Sequence, residues 1–457
     1  MENFLAVVGA ISGFLWNRLF LVVLVGGGIY LTIRLKFFQV RYFPYIIKQT
    51  FGKILDKGKG EGSVSPFKAT ATALASTIGA SNIIGVPVAI AYGGPGALFW
   101  MWVIFLVGCA TKFSEAVLGV YYRVKNADGY YVGGPGYYMT QGFPIKKVGK
   151  IMARITVFVS MIYYFPSIAM QSVSLIQNTS ALGINQYVSA AILTVLVGVV
   201  VIGGLKRVAQ VAGKMVPTMC ILYLAGALIV VIANIKNIPS SLALVFGSAF
   251  TGTAAVGGFM GAGVSMAIRM GMARATYSCE AGMGSAGIAH AATITDHPVR
   301  QGFWAVFEVI VDGTVCTLSG ILVLASGVWK DIAPSVATTM PAAAFQKVMG
   351  PVGGYIVTIS ITLFVLSTII AIIWYAEKMV EFGLTTKISK AARIIYTLSI
   401  MLGALSGLET VYVVLDLANA FIILPNILTV LILSPLVAKL SKEFFSGEQF
   451  YLENIKK

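Results

Sequence analysis

Long apolar stretches follow one another along the chain, separated by short polar or basic segments. A helix crossing the ~30 Å hydrocarbon core of a bilayer needs about 20 mostly apolar residues. Eleven stretches meet that length: 14–34, 66–92, 96–121, 152–180, 186–204, 213–233, 241–268, 302–327, 352–378, 391–406 and 411–440. None alternates apolar and polar residues with period two, so barrel strands are excluded. The last is too long for one upright helix, and Pro425 is expected to kink or tilt it. The segment 328–350, with Pro334 and Pro341, reads as a longer loop with short helices.

Composition agrees with an all-α integral membrane protein. Of 457 residues, 58% are hydrophobic and only 11% charged, less than half the roughly 25% of soluble domains. Four cysteines at positions 109, 220, 279 and 316 form no CxxC pair. Two histidines are too few for a histidine-based metal or haem site. A net charge of +16 raises the question of nucleic acid, but that needs basic residues gathered on one domain face. Here they lie in short runs between apolar stretches, so no nucleic-acid partner is expected and the partners are membrane lipids.

The basic runs set an expected orientation. One set of loops carries 28 of the 33 lysines and arginines; the opposite set holds only Arg18, Lys236, Lys330 and Lys347. Positive loops stay in the cytoplasm, so a multi-pass plasma-membrane protein is expected, with its N-terminus outside and its C-terminus cytoplasmic. The basic segment 35–65, with Phe37, Phe38, Val40, Tyr42 and Phe43 among its charges, is expected to lie along the inner membrane surface.

Two spans are unsuited to plain helices. The second reads Ala75-Ser76-Thr77-Ile78-Gly79-Ala80-Ser81-Asn82-Ile83-Ile84-Gly85, and the seventh Thr251-Gly252-Thr253-Ala254-Ala255-Val256-Gly257-Gly258-Phe259-Met260-Gly261. Small polar residues and glycines at mid-bilayer weaken a helix, and an opened backbone survives there only where protein or a cavity satisfies it. Spans 2–6 and 7–11 form two sets of five, and the odd number inverts one set relative to the other. Interrupted helices at matching positions of inverted halves point to the binding site of a secondary transporter. Free amides there attract a carboxylate, and released carbonyls hold a cation. The alternative is that small residues merely permit close helix packing.

Gly93-Gly94-Pro95-Gly96-Ala97-Leu98-Phe99-Trp100-Met101-Trp102 resembles the signature of the alanine or glycine:cation symporter family. Cys279-Glu280-Ala281-Gly282-Met283-Gly284-Ser285-Ala286, Ala289-His290-Ala291 and His297-Pro298-Val299-Arg300-Gln301-Gly302 resemble its long inner loop, with Cys279 where a polar residue is expected. The resemblance spans nearly the whole chain. It implies a five-plus-five inverted repeat, the LeuT-like fold, preceded by one extra helix. The corresponding divisions are 1–65 (first helix and basic segment), 66–233 and 241–440 (the repeats) and 441–457 (cytoplasmic tail). It also implies uptake of alanine or glycine coupled to Na+, or in some members to protons.

Carried over residue by residue, the resemblance places the first break at Ser76 to Gly79. It implies a sodium site made of the carbonyls of Ala75, Ile78 and Phe364 with the hydroxyls of Ser367 and Thr368. The alternative for such hydroxyls is a bond back to their own helix. For the substrate, Thr77, Ile78, Gly79 and Asn82 are candidates at the first break and Gly257 at the second. Gln171 is costly in lipid unless bonded. Phe165, Phe259, Met260 and Trp374 are candidates for the side-chain wall, against ordinary packing.

Ionisable residues inside spans are functional candidates by default. Glu308 and Asp312, four apart on one helix face, are expected to pair with arginines of the preceding loop, and Asp416 lies in the last span. Lys112 is expected to snorkel and pair locally with Glu115. His290 and His297 fall in the expected cytoplasmic loop. No HExxH, GxSxG or Walker A pattern is present, so neither an enzyme nor an ATP-driven pump is expected. A monomer is expected, because each chain holds both repeats and so a whole site.

Overall fold

The computed structural model describes residues 14–15, 19–180, 183–251, 263–405 and 408–447, most of them helical. The chain opens with α1 (Val22–Arg34) and a short amphipathic α2 (Phe43–Thr50). The second span is a bent pair, α3 (Pro66–Thr77) and α4 (Ser81–Gly93), with 48° between its halves. Long helices follow: α5 (Ala97–Tyr121), then after a two-stranded hairpin and the short α6 (Pro135–Gly142), α7 (Lys146–Ser180), α8 (Gln186–Val201) and α9 (Gly204–Ala233). The second half comprises α10 (Ile238–Thr251), α11 (Val264–Cys279), α12 (Ser285–Ala291), α13 (Pro298–Ser326) and α14 (Met340–Met349). It closes with α15 (Pro351–Gly383), α16 (Thr386–Leu398) and the 39-residue α17 (Leu408–Ser446), which stays continuous through Pro425 and Pro435.

Helices α5 and α13 form an antiparallel spine. Leu98 packs on Gly320, Trp102 donates to Thr317 (3.0 Å), and Lys112 reaches Glu308 (3.3 Å). The start of α5 and the end of α13 therefore share one end of the bundle. The opposite, basic end is tied by Arg123, whose guanidinium donates to the carbonyls of Ala291, Thr293 and Glu61.

This geometry moves the seventh span. Helix α10 has 14 residues, about 21 Å, short of a membrane crossing. Asn237, just before it, bonds the Ala325 carbonyl at the end of α13, and Ala249 near its end accepts from Trp100 at the start of α5. Both ends of α10 thus lie at one end of the bundle. The crossing segment is α11 with α12: Gly271 abuts Ala97, while Gly287 touches Gly119 near the far end of α5. Of the span expected over 241–268, residues 252–262 lie outside the described residues; the described 241–251 part does not cross, residues 264–291 do, and Arg269 and Arg274, counted in a loop, lie on α11. The Cys279–Ala291 stretch, expected on an inner loop, is buried in the body of the protein. An apolar count selected 241–268 because α11 carries two arginines; Arg274 is accommodated beside Asp416 of α17 (3.8 Å).

Charged residues inside the bundle also pair across helices rather than locally. Lys112 is 1% exposed and bonds Glu308, not Glu115. Glu308 in turn meets His290 Nε2 (2.5 Å), whose Nδ1 faces Gln301 (2.5 Å). The expected pairing of Glu308 with loop arginines and the snorkelling of Lys112 are both overturned. A fully enclosed lysine has no water to reach, so only an opposite charge on the facing helix makes its burial affordable. Removing one member strands the other: Lys112→Met is expected to lower stability by ~3–5 kcal/mol, read by thermal unfolding in detergent. Adding Glu308→Gln, which keeps a partner for His290, is expected to recover more than half of that loss.

Candidate transport site at two interrupted helices

The α3–α4 helix opens because its sequence withdraws backbone bonding there. Ile78 leaves the helical region (φ −86°, ψ 85°), and helix resumes at Ser81. The first turn of α4, Ser81–Gly85, is π-wound just ahead of Pro87, which lacks an N–H and whose ring would crowd the carbonyl four residues back. The break therefore spans residues 78–80, one turn-fraction beyond the expected Ser76–Gly79.

Buried side chains take up the freed backbone groups. The Gly79 N–H donates to Asn82 Oδ1 (2.9 Å), and the Ala80 N–H donates to Gln171 Oε1 on α7 (3.2 Å). The Ile78 carbonyl accepts from Thr368 Oγ1 on α15 (3.4 Å). Gly79 is enclosed tightly: a Cβ there would lie 2.8 Å from Thr368 Oγ1 and 3.1 Å from Gln171 Nε2. Five candidates (Ile78, Gly79, Asn82, Gln171 and Thr368) thus meet at one point, contributed by three segments far apart in sequence.

Around them the structure adds a carboxylate that sequence reasoning had assigned to loop arginines. Asp312 of α13, wholly buried, accepts from Asn82 Nδ2 (2.6 Å) and from Ser278 Oγ of α11 (2.8 Å) through Oδ1. Its Oδ2 is buried with no hydrogen-bond partner among the described residues. Cys316, one turn along, contacts both Asn82 and Ser278 (3.4 Å each).

A second interruption, between α11 and α12, faces the first. Glu280 adopts a left-handed φ of 54°, and Gly282 and Gly284 follow with φ of 97° and 81°. Glu115 of α5 organises it: one oxygen accepts from the Gly282 N–H (3.0 Å), the Gly284 N–H (3.1 Å) and Asn426 Nδ2 of α17 (2.8 Å). Glu280 bridges the two broken helices, accepting from Ser76 (2.6 Å) and from Ser285. The Gly-Met-Gly spacing at 282–284 was the signal for this break in the sequence, hidden by reading the motif as loop.

Other candidates fall elsewhere. Ser367 bonds back to the Phe364 carbonyl (2.9 Å) and faces Met219 Sδ (3.2 Å), and Thr77 bonds Ala73 and Leu74 within its own helix. Ala75 and Phe364 are buried. Phe165 packs on Tyr396 of α16 (4.6 Å). Trp374 is buried against Tyr375 with its indole N–H unpartnered among the described residues. Gly257, Phe259 and Met260 lie outside the described residues, as does nearly all of the interruption expected at 251–261.

Two opened helices, opposed and held by buried polar side chains, match the known transporter arrangement in which an interrupted helix supplies amides and carbonyls at mid-membrane. The profile of the Sodium:alanine symporter family matches residues 1–454. The chain belongs to that family. An uncharacterized Bacillus subtilis transporter, YflA, is 46% identical over 100% of this chain and 97% of its own. The sodium/alanine symporter AgcS of Methanococcus maripaludis is 36% identical over 97% of each. Among solved structures, MhsT in complex with L-phenylalanine superposes with a TM-score of 0.60 at 14% identity, covering 84% of this chain and 90% of its own. That likeness carries the LeuT fold, the five-plus-five inverted repeat of multi-pass membrane transporters. Symporters of this family are not enzymes, and the buried carboxylates here hold backbone and neighbouring helices.

The enclosure of Gly79 gives a direct test. Gly79→Ala is expected to lower amino acid uptake about tenfold or more, roughly 1.4 kcal/mol. Gly85→Ala, where the nearest atom to a new Cβ is 3.5 Å away, serves as the control and is expected to stay near wild type.

Proposed function

We propose that the protein is a sodium-coupled symporter that takes up alanine or glycine by alternating access. The observation that carries this reading is the break at residues 78–80, where two amides and one carbonyl bond to the side chains of Asn82, Gln171 and Thr368. A zwitterion fits such a site. Its carboxylate takes the amides of Gly79 and Ala80 as Asn82 and Gln171 turn to it, with Thr77 and Ile78 at the edge. The crowding at Gly79 by Thr368 and Gln171 favours a short side chain, since a tight pocket rejects larger substrates by sterics. Trp374 supplies part of that wall in this reading, with Phe165 and the residues Gly257, Phe259 and Met260 of the seventh-span sequence.

Sodium is assigned to the oxygens of Ala75, Ile78, Phe364, Ser367 and Thr368. The Thr368–Ile78 and Ser367–Phe364 bonds are those a sodium ion replaces, since both put a hydroxyl beside a carbonyl. Binding there ties α3 to α15 and couples the ion to the substrate next to it. The names of the family and of the archaeal relative support this reading. The basic end is assigned to the cytoplasm by charge bias, with the N-terminus outside and a monomer as the transporting unit. The first inverted half is 66–233, and the second, expected over 241–440, is taken to begin at α11 because α10 does not cross.

A proton-coupled symporter of the same fold is the second reading, favoured by Asp312, whose buried Oδ2 has no hydrogen-bond partner among the described residues. Uptake of labelled alanine into proteoliposomes separates the two. A sodium gradient is expected to drive accumulation and an equal proton gradient is not. Ser367→Ala with Thr368→Ala is expected to raise the sodium concentration for half-maximal uptake about tenfold or more, ~1.4 kcal/mol. Accumulation driven by protons alone, and lost in Asp312→Asn, would replace sodium with protons in this proposal.

A further inference from the structure

On the opposite side of α13 from the transport site, two cavities flank the amphipathic α2. The first is an open apolar groove of about 850 Å³ between α2, α5 and α13, lined by Val40, Phe43, Trp102, Leu106, Val309 and Leu318 among others. The second is a pocket of about 460 Å³ at the basic end, beneath the C-terminal turn of α2 and beside the start of α13. Lys48, Lys53, Lys59 and Arg300 line it, against Asp56 and Asp296. Asp296 is neutralised by Arg300 (2.6 Å) and Asp56 accepts from the Gly58 N–H (2.9 Å), so the pocket keeps an excess of two positive charges. The segment between them is built for a membrane surface: Val40, Phe51 and Leu55 are 61, 63 and 96% exposed, interleaved with lysines.

We propose that this face binds one anionic phospholipid, its phosphate in the Lys48–Lys53 pocket and an acyl chain in the groove against Trp102. Charge complementarity selects the ligand: a zwitterionic headgroup brings no net charge to a pocket of net charge two, whereas a phosphodiester with an uncharged headgroup brings one. Lysines at a membrane surface each strengthen such binding about fivefold. The groove takes Phe43 and Pro44 from the start of α2 and the pocket Lys48 and Gln49 from its end, about 6–8 Å further along the helix, within the reach of one lipid. Because the lipid touches α13, which carries Asp312, and α2, which follows α1, it bears on the outer shell of the bundle rather than on the substrate.

Tryptophan fluorescence of the reconstituted protein tests this directly, because Trp102 lines the groove and Trp304 the pocket. Vesicles of phosphatidylcholine receive a minor fraction of phosphatidylglycerol or phosphatidylcholine brominated on its chains. Brominated phosphatidylglycerol is expected to quench more strongly at equal content, and Trp102→Phe to remove most of that excess. Lys48→Gln with Lys53→Gln is expected to abolish the preference, while quenching by brominated phosphatidylcholine and thermal unfolding stay unchanged. On the unmodified protein, added salt is expected to shrink the preference, since exposed charges are screened within ~10 Å at 0.1 M. Equal quenching by the two lipids, or a preference that survives the lysine substitutions or added salt, would overturn the proposal.

Discussion

The structure depends on one constraint: inside a bilayer no water is at hand for an opened backbone, so each freed amide or carbonyl must find a side chain. Two transmembrane helices are open here, and most of the side chains that close the gaps come from other helices. Asn82 serves Gly79, Gln171 of α7 serves Ala80, Thr368 of α15 serves Ile78, and Glu115 of α5 serves both Gly282 and Gly284. The openings therefore bind the bundle together instead of weakening it.

The two breaks are secured unequally. The second is anchored by a carboxylate that accepts three hydrogen bonds, with Asn426 also donating to the Gly282 carbonyl. At the first, the backbone is held by neutral bonds of 2.9 to 3.4 Å, with the Gly79 N–H shared between Asn82 and the Thr77 carbonyl. A charge-assisted network costs more to dismantle than a neutral bond. In the proposed cycle, rearrangement on substrate binding is therefore assigned to the first break, where turning an amide side chain releases a backbone amide. Ser76 and Glu280 connect the two, so a change at one is felt at the other.

Away from the breaks, buried charge sets the register of the spine. Lys112, Glu308 and His290 form a chain across α5, α13 and α12 that apolar packing alone would not fix, since a helix sliding by one turn buries similar area but separates these charges. Close approach of Gly119 and Gly287, where a Cβ on Gly119 would sit 2.5 Å from backbone, brings α12 near enough for His290 to reach Glu308. Small residues and paired charges act here as complementary devices, one setting distance and the other position.

The class, most of the helical spans and the first break were legible in the sequence, because a span is a local property: twenty apolar residues cross a bilayer whatever surrounds them, and a run of small polar residues ahead of Pro87 disrupts a helix by itself. The family was legible for the same reason, from contiguous motifs. What the sequence misplaced was non-local. The seventh span was drawn over 241–268 because α11 carries Arg269 and Arg274, and the Glu-Ala-Gly-Met-Gly stretch was read as loop. Asp312 and Lys112 were given partners nearby in the chain. Only the packed bundle decides these points, since a charged residue becomes tolerable in lipid when a distant helix brings its partner within about 3 Å, and no count along one strand of sequence contains that distance.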